Sequence, residues 1–422
     1  MIHRIAIGVL AFAGIVAVFA ATVSAAAAQI TVSPGDDLAA VLGRAAPGDT
    51  VSLAAGIHNG PVRIMRSLVL TGEAGAVLRG SGKGSVIEVT AEDVTIRGLV
   101  IQGSGKDVPG MDSGVLARRT ARGLRVEDNR FEGNLFGVYL HGAPESQVLQ
   151  NRITGMTGLR ISESGNGVSL WNAPGSVVAD NEISGVRDGI FVNNSRRNRF
   201  VGNSFAELRF AVHYMYTHDS EISGNRSVGN DVGYAIMFSD NLSIRDNVSI
   251  GDRDHGLLMN YANRSVVTGN LVRDGKDKCL FIYNAHRNQI TGNRFEGCAI
   301  GIHFTAGSEG NAVSGNAFIG NRTQVKYVGT RLVEWSAEDR GNFWSDNPAF
   351  DLNGDGIADR PYRPNGLMDD ILWRHPSAKL LLNSPAVDLL RLVQSRFPAL
   401  YPGGVLDSAP LMAPPPVVEL TQ

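Results

Sequence analysis

DGIFVNNSRRNRFVGN, Asp188 to Asn203, and CLFIYNAHRNQITGN, Cys279 to Asn293, are two copies of one pattern. Each begins with a short apolar alternation, turns a polar corner, resumes with a second apolar run and closes on Asn. The closing residue recurs as Asn129, Asn151, Asn181, Asn203, Asn225, Asn247, Asn270, Asn293 and Asn316, at spacings of 22, 30, 22, 22, 22, 23, 23 and 23. The 30 is a 22 with a loop added, and Gly155 to Gly165 reads as that loop. Short strands at this period, with no hairpin signals between them, predict an all-β fold: a right-handed, single-stranded parallel β-helix of the pectin-lyase-like kind. Asn suits the corner because it tolerates left-handed backbone and bonds locally. Stacked Asn amides also bond to one another up a column. A leucine-rich repeat has a similar period, but its L-x-x-L-x-L signature is missing.

The ends are less regular. Residues 1–28 combine a basic start (MIHR), a continuous apolar run and a small-residue end (SAAAAQ), the layout of a secretory signal peptide cleaved near Ala28. No later segment approaches the roughly 20 apolar residues that span a bilayer. Export is therefore expected. The β-helix is assigned to 29–340, with a helix over Asp36 to Ala45 as the polar cap its open end needs. Residues 341–422 form a C-terminal extension: an acidic loop, an amphipathic helix capped by Ser384 with Pro385 in its first turn, and a proline-rich tail expected to be disordered beyond Pro398. The helix carries Leu389, Leu390, Val393 and Phe397 on one stripe. That stripe covers the last coil or reaches a membrane partner. A formal charge of −2, or −3 once Arg4 leaves with the signal peptide, gives no footprint for nucleic acid. The two cysteines, Cys279 and Cys298, are compatible with one disulfide or with two buried thiols.

Strand alternation decides which side chains face out. With Ile190 and Val192 inward, Val212 and Tyr214 of the next coil also point in, and His213 and Met215 point out. One coil on, Tyr234 and Ile236 go in and Met237 goes out, so Met215 and Met237 stack about 4.8 Å apart. Met259 extends the column on a 22-residue count, whereas pinning its coil to Gly256 turns it inward. His213, Met215, Met237 and Met259 are thus a candidate Cu(I) set, because thioether and imidazole ligands are soft. A methionine in a β-protein is more often core filler. Other donors lie near in sequence: His218, Asp254, His255, Tyr261 and His286. Asp188, Asp219, Asp252, Asp254, Arg209 and Arg253 are the candidates for acid–base chemistry on a polysaccharide, but no close carboxylate pair can be placed on one strand face. Asp351, Asn353, Asp355 and Asp359 match the front half of an EF-hand-type calcium loop, with Tyr362 where a bidentate Glu normally sits.

Several stretches together resemble the NosD family. They are the PGDTVSLAAGIHNG entry, the Asn-punctuated coils, the HYMYTHDSEISGN and GYAIMFSDNLSIRDN pair, and the GNFWSDNPAFDLNGDGIADRPYRP tail. The resemblance spans nearly the whole chain after the signal peptide. It implies a periplasmic accessory protein of nitrous oxide reductase maturation that helps assemble the copper–sulfur centre. It also implies three partners: an ABC-type transporter of permease and ATPase, a copper-chaperone lipoprotein, and the apo-reductase. Membrane contact would be peripheral, through the permease. The resemblance assigns no enzymatic residue, and the expectation is a non-enzyme. A polysaccharide lyase or epimerase, or a carbohydrate-binding β-helix, is the alternative.

Overall fold

The computed structural model describes residues 27–305, 307–381, 384–397 and 403–416. The expected signal peptide falls on 1–28, almost all of it outside the described residues. From Gln29 the chain winds into a right-handed parallel β-helix of about 14 turns. Its three faces are parallel sheets. The first has 13 strands, from Gln29–Val32 to Ala312–Ser314. The second has 13, from Gly56–Asn59 to Phe343–Trp344, and the third 12, from Val62–Ile64 to Thr323–Val328.

Register is set by the inward column of each sheet, since a slip of one residue would expose it. In the first sheet Val178 pairs with Phe200, and Phe200 with Ile222, all fully buried. In the third, Val192, Tyr214, Ile236, Met259 and Ile282 form one buried column.

The corner between the first and second sheets holds the Asn ladder. Each Nδ2 donates to the Oδ1 of the next Asn at 2.9–3.1 Å, from Asn129 through Asn316 and on to Asn342. The same amides satisfy backbone groups of the preceding coil, as Asn225 Nδ2 does at Phe200 O, 2.8 Å. Buried polar corners survive because every member is bonded.

Both open ends are covered. Helix Leu38–Arg44 buries Leu38 and Leu42 over the first coils, and the Asp37 carboxylate accepts from Ala40 N at 3.0 Å. At the far end, strand Gly404–Leu406 pairs in parallel with Leu332–Glu334. Asp407 Oδ2 then accepts from Asn342 N and Trp344 Nε1, each at 2.7 Å, and so terminates the ladder. This corrects the expectation of disorder beyond Pro398 for residues 403–416, the rest of that stretch lying outside the described residues. Residues 403–416 return to the solenoid, because Val405 and Leu411 have a coil end to bury against. Helix Pro385–Arg396 begins at Pro385 as read, although Ser384 makes no side-chain cap bond. Leu389, Leu390 and Phe397 stay exposed while Val387 is buried, so the stripe does not cover the last coil. Cys279 and Cys298 form a disulfide, which resolves the two alternatives left open by the sequence. Among the described residues no helix is long and apolar enough to cross a membrane.

Candidate functional site

The outward face of the third sheet carries the residues singled out for metal. Strand Phe210–His218 sits between Asp188–Arg196 and Val232–Met237. Met215 pairs in register with Met237, and both are half-buried on the outer face. His213 shares that face two residues along the strand. It is only 7% exposed, because Phe210 meets it edge-on at 4.8 Å and Phe191 lies 5.1 Å away. Its Nδ1 is 3.1 Å from Asp188 Oδ2, and its Nε2 is buried with no hydrogen-bond partner.

Met259 is a correction. Gly256, not a 22-residue count, sets its coil, so Leu257 and Met259 both turn inward and Met259 is fully buried between Ile236 and Ile282. Asn260 takes the outward place beside Met237, with its Oδ1 buried and unpartnered. The other candidate donors lie elsewhere. His255 pairs with Val232, at the opposite end of its strand from Asn260. His218 Nδ1 accepts from Asp240 N at 3.1 Å, and His286 Nδ1 from Glu309 N at 3.1 Å. Tyr261 and Asp254 are exposed. Among the described residues no three His, Cys, Asp or Glu side chains gather as a metal cluster, so any soft-metal site here rests on thioethers with one imidazole.

The carboxylates do not form an acid–base pair. Asp188 accepts two bonds from Arg209, at 2.8 and 2.6 Å. Burial alone would raise its pKa, but the bonds from His213 and Arg209 and the Arg209 charge outweigh that and hold it below the usual range. Asp252 is fully buried, bonded to Ser249, Ser227 and Asn230, and burial pushes its pKa up. Asp219 is an exposed left-handed corner bonded to Asn241, and Arg253 pairs with Asp231. The acidic loop is closed by its own hydrogen bonds. Asp351 accepts from Gly354 and Gly356, Asp355 from Ile357, and Asp359 from Leu352. Those are turn contacts, and the geometry lends calcium no support.

One feature escaped the sequence reading. Tyr216, Phe238 and Tyr261 stack ring on ring at 5.1 and 5.2 Å, and Tyr283 meets Tyr261 at 6.1 Å. This stripe runs beside the methionines, with Tyr216, Tyr261 and Tyr283 each more than two-fifths exposed. Its signal was available: the residue numbers differ by 22, 23 and 22, the length of a coil.

Comparison with known proteins adds the family. The sequence profile described as "Periplasmic copper-binding protein (NosD)" matches residues 149–349. A relative from Stutzerimonas stutzeri, named "Probable ABC transporter binding protein NosD", is 38% identical over 88% of this chain and 88% of its own length. Its namesake in Pseudomonas aeruginosa is 42% identical over 86% and 88%. The chain belongs to the NosD family. The part matched by the NosD profile contains His213, Met215 and Met237 with the coils on either side. Solved structures share the fold alone. The A-module of mannuronan C-5 epimerase AlgE6 from Azotobacter vinelandii has a TM-score of 0.52 at 13% identity, covering 69% of this chain and 89% of that one. The family 28 exopolygalacturonase of Yersinia enterocolitica has a TM-score of 0.53 at 12% identity, covering 68% and 78%.

Proposed function

We propose that this chain is an exported, non-enzymatic accessory protein that receives and passes on Cu(I) during maturation of the copper–sulfur centre of nitrous oxide reductase. The observation that carries the copper step is the Met215–Met237 register pair beside a histidine whose Nε2 has no partner. Two thioethers and an imidazole suit Cu(I) and serve harder ions poorly. Copper is cargo in this reading. Half-buried sulfurs on an open sheet face hold it weakly until a partner adds or removes a ligand.

The family's description as periplasmic and copper-binding supports export and metal. The relatives' names support docking on an ABC-type transporter, a permease with its ATPase. A copper-chaperone lipoprotein as donor and the apo-reductase as acceptor complete the proposed route. The exposed Leu389, Leu390 and Phe397 are the proposed contact with the permease.

The test is the double variant Met215→Leu/Met237→Leu, which nearly conserves volume and should leave the fold intact. Copper loading of the reductase should fall at least tenfold, with Cu(I) affinity of the variant reduced alongside. Full loading by the double variant would reduce the pair to packing. Assay of unsaturated products from alginate and pectin should show no turnover, and turnover would move the chain to the enzyme class.

A further inference from the structure

We infer that Asp188, clamped by Arg209, is a positioning residue that presents the Nε2 lone pair of His213 to Cu(I). This rests on the copper reading above and assigns a role one step behind the ligand. Asp188 opens the strand Asp188–Arg196 and is 1% exposed. Arg209 Nε and Nη2 reach its two oxygens at 2.8 and 2.6 Å, a parallel two-bond clamp that fits an ionised carboxylate. The same guanidinium lies 4.4 Å over the Phe210 ring, which itself meets His213 edge-on. One arginine therefore anchors both the carboxylate and the ring wall beside the imidazole.

An ionised carboxylate only accepts hydrogen bonds. The 3.1 Å contact from His213 Nδ1 to Asp188 Oδ2 must then be Nδ1–H donating. A neutral imidazole has one N–H, so Nε2 is left as a lone pair. That atom is buried without a donor. A carboxylate behind a ligating imidazole fixes its tautomer and raises its basicity. An ion pair built only to lock adjacent coils would need no imidazole with an unused lone pair. The arrangement is that of a ligand oriented before its metal arrives.

The experiment pairs nitrogen-resolved NMR of the histidine rings in the metal-free protein with anaerobic Cu(I) titration against a bicinchoninate competitor. In Asp188→Asn, the His213 ring should shift toward the Nε2–H tautomer, and Cu(I) affinity should fall 10- to 100-fold, the range for loss of such a partner. The circular dichroism should be unchanged. Should this variant not fold, Arg209→Gln loosens the clamp without touching the carboxylate, and a weakening of about threefold or more is expected. Affinity equal to wild type in a folded variant overturns the positioning role, as does an unchanged tautomer in Asp188→Asn. Failure of the copper reading looks different: the unaltered protein would then show no Cu(I) binding at all, and this role would fall with it.

Discussion

At the scale of single residues, the fold rests on polar side chains whose every atom is bonded, whereas the site leaves His213 Nε2 without a partner. Asn225 receives Asn203 N and Nδ2 at Oδ1, and its Nδ2 reaches Phe200 O, Ser223 O and Asn247 Oδ1. Replacing it by Ala strands several buried groups at once. At roughly 1–3 kcal/mol per unsatisfied group, with partial relaxation, Asn225→Ala should cost about 3 kcal/mol. Urea unfolding checks the size, and hydrogen exchange should place the loss in the coils on either side of position 225. Titratable residues show a related effect. Burial, with Lys326 and Lys278 adding to it, lowers the pKa of His303 from 6.5 to about 4. Asp277 opposes the shift and His255 adds to it. The folded ring is therefore the weaker base. Between about pH 6.5 and about pH 4 the unfolded chain binds the extra proton, and stability falls as pH falls through that window. His303→Leu should flatten this acid limb in melting curves taken across the window. An unchanged limb would mean the ring is better solvated than its burial suggests.

Elements add what single residues cannot, namely where an end closes and what it leaves bare. The C-terminal strand is only three residues long, Gly404–Leu406, yet it positions Asp407 on the ladder and covers the last coil. Truncation after Leu380 would remove that closure together with the helix, so loss of partner binding in such a deletion would say nothing specific about the helix. A sharper test leaves the strap in place. Leu389→Gln/Leu390→Gln/Phe397→Ser changes exposed positions of helix Pro385–Arg396 and its C-cap. Surface changes of this kind usually stay within about 0.5 kcal/mol each, so the melting temperature should move little. Co-purification with the transporter permease should nevertheless be lost. If it persists, the bare face is not the permease contact.

At the scale of the whole molecule, the solenoid explains both what the sequence disclosed and what it hid. Contacts run between neighbouring coils, so a period in the sequence is a position in space, and the Asn column and the inward–outward alternation at Val212, Tyr214 and Met215 were legible directly. Met259 was ambiguous because one extra residue per coil reverses a face, and counting along the chain does not say where that residue is absorbed. The ring stack of Tyr216, Phe238 and Tyr261 was hidden for another reason: these residues sit at left-handed corners, φ 50–51°, where strand alternation no longer applies. The returning tail was hidden by distance in sequence, since its partner strand lies some seventy positions earlier, at Leu332–Glu334, and no local pattern encodes such a pairing. The same modularity makes fold and site separable. Removing Arg130–Asn151, one 22-residue coil, lets Asn129 meet the coil that ends at Asn181 with the ladder unbroken. The product should be a β-helix shorter by about one strand spacing of 4.8 Å. It keeps Asp188, His213, Met215 and Met237 in their own coils, so its Cu(I) affinity should stay within about threefold of the parent. Removing Arg226–Asn247, also 22 residues, conserves the ladder equally well but takes Met237 with it. That protein should fold, by circular dichroism, and lose Cu(I) affinity at least tenfold. Equal affinity in the two deletions would place the metal outside the Met215–Met237 pair.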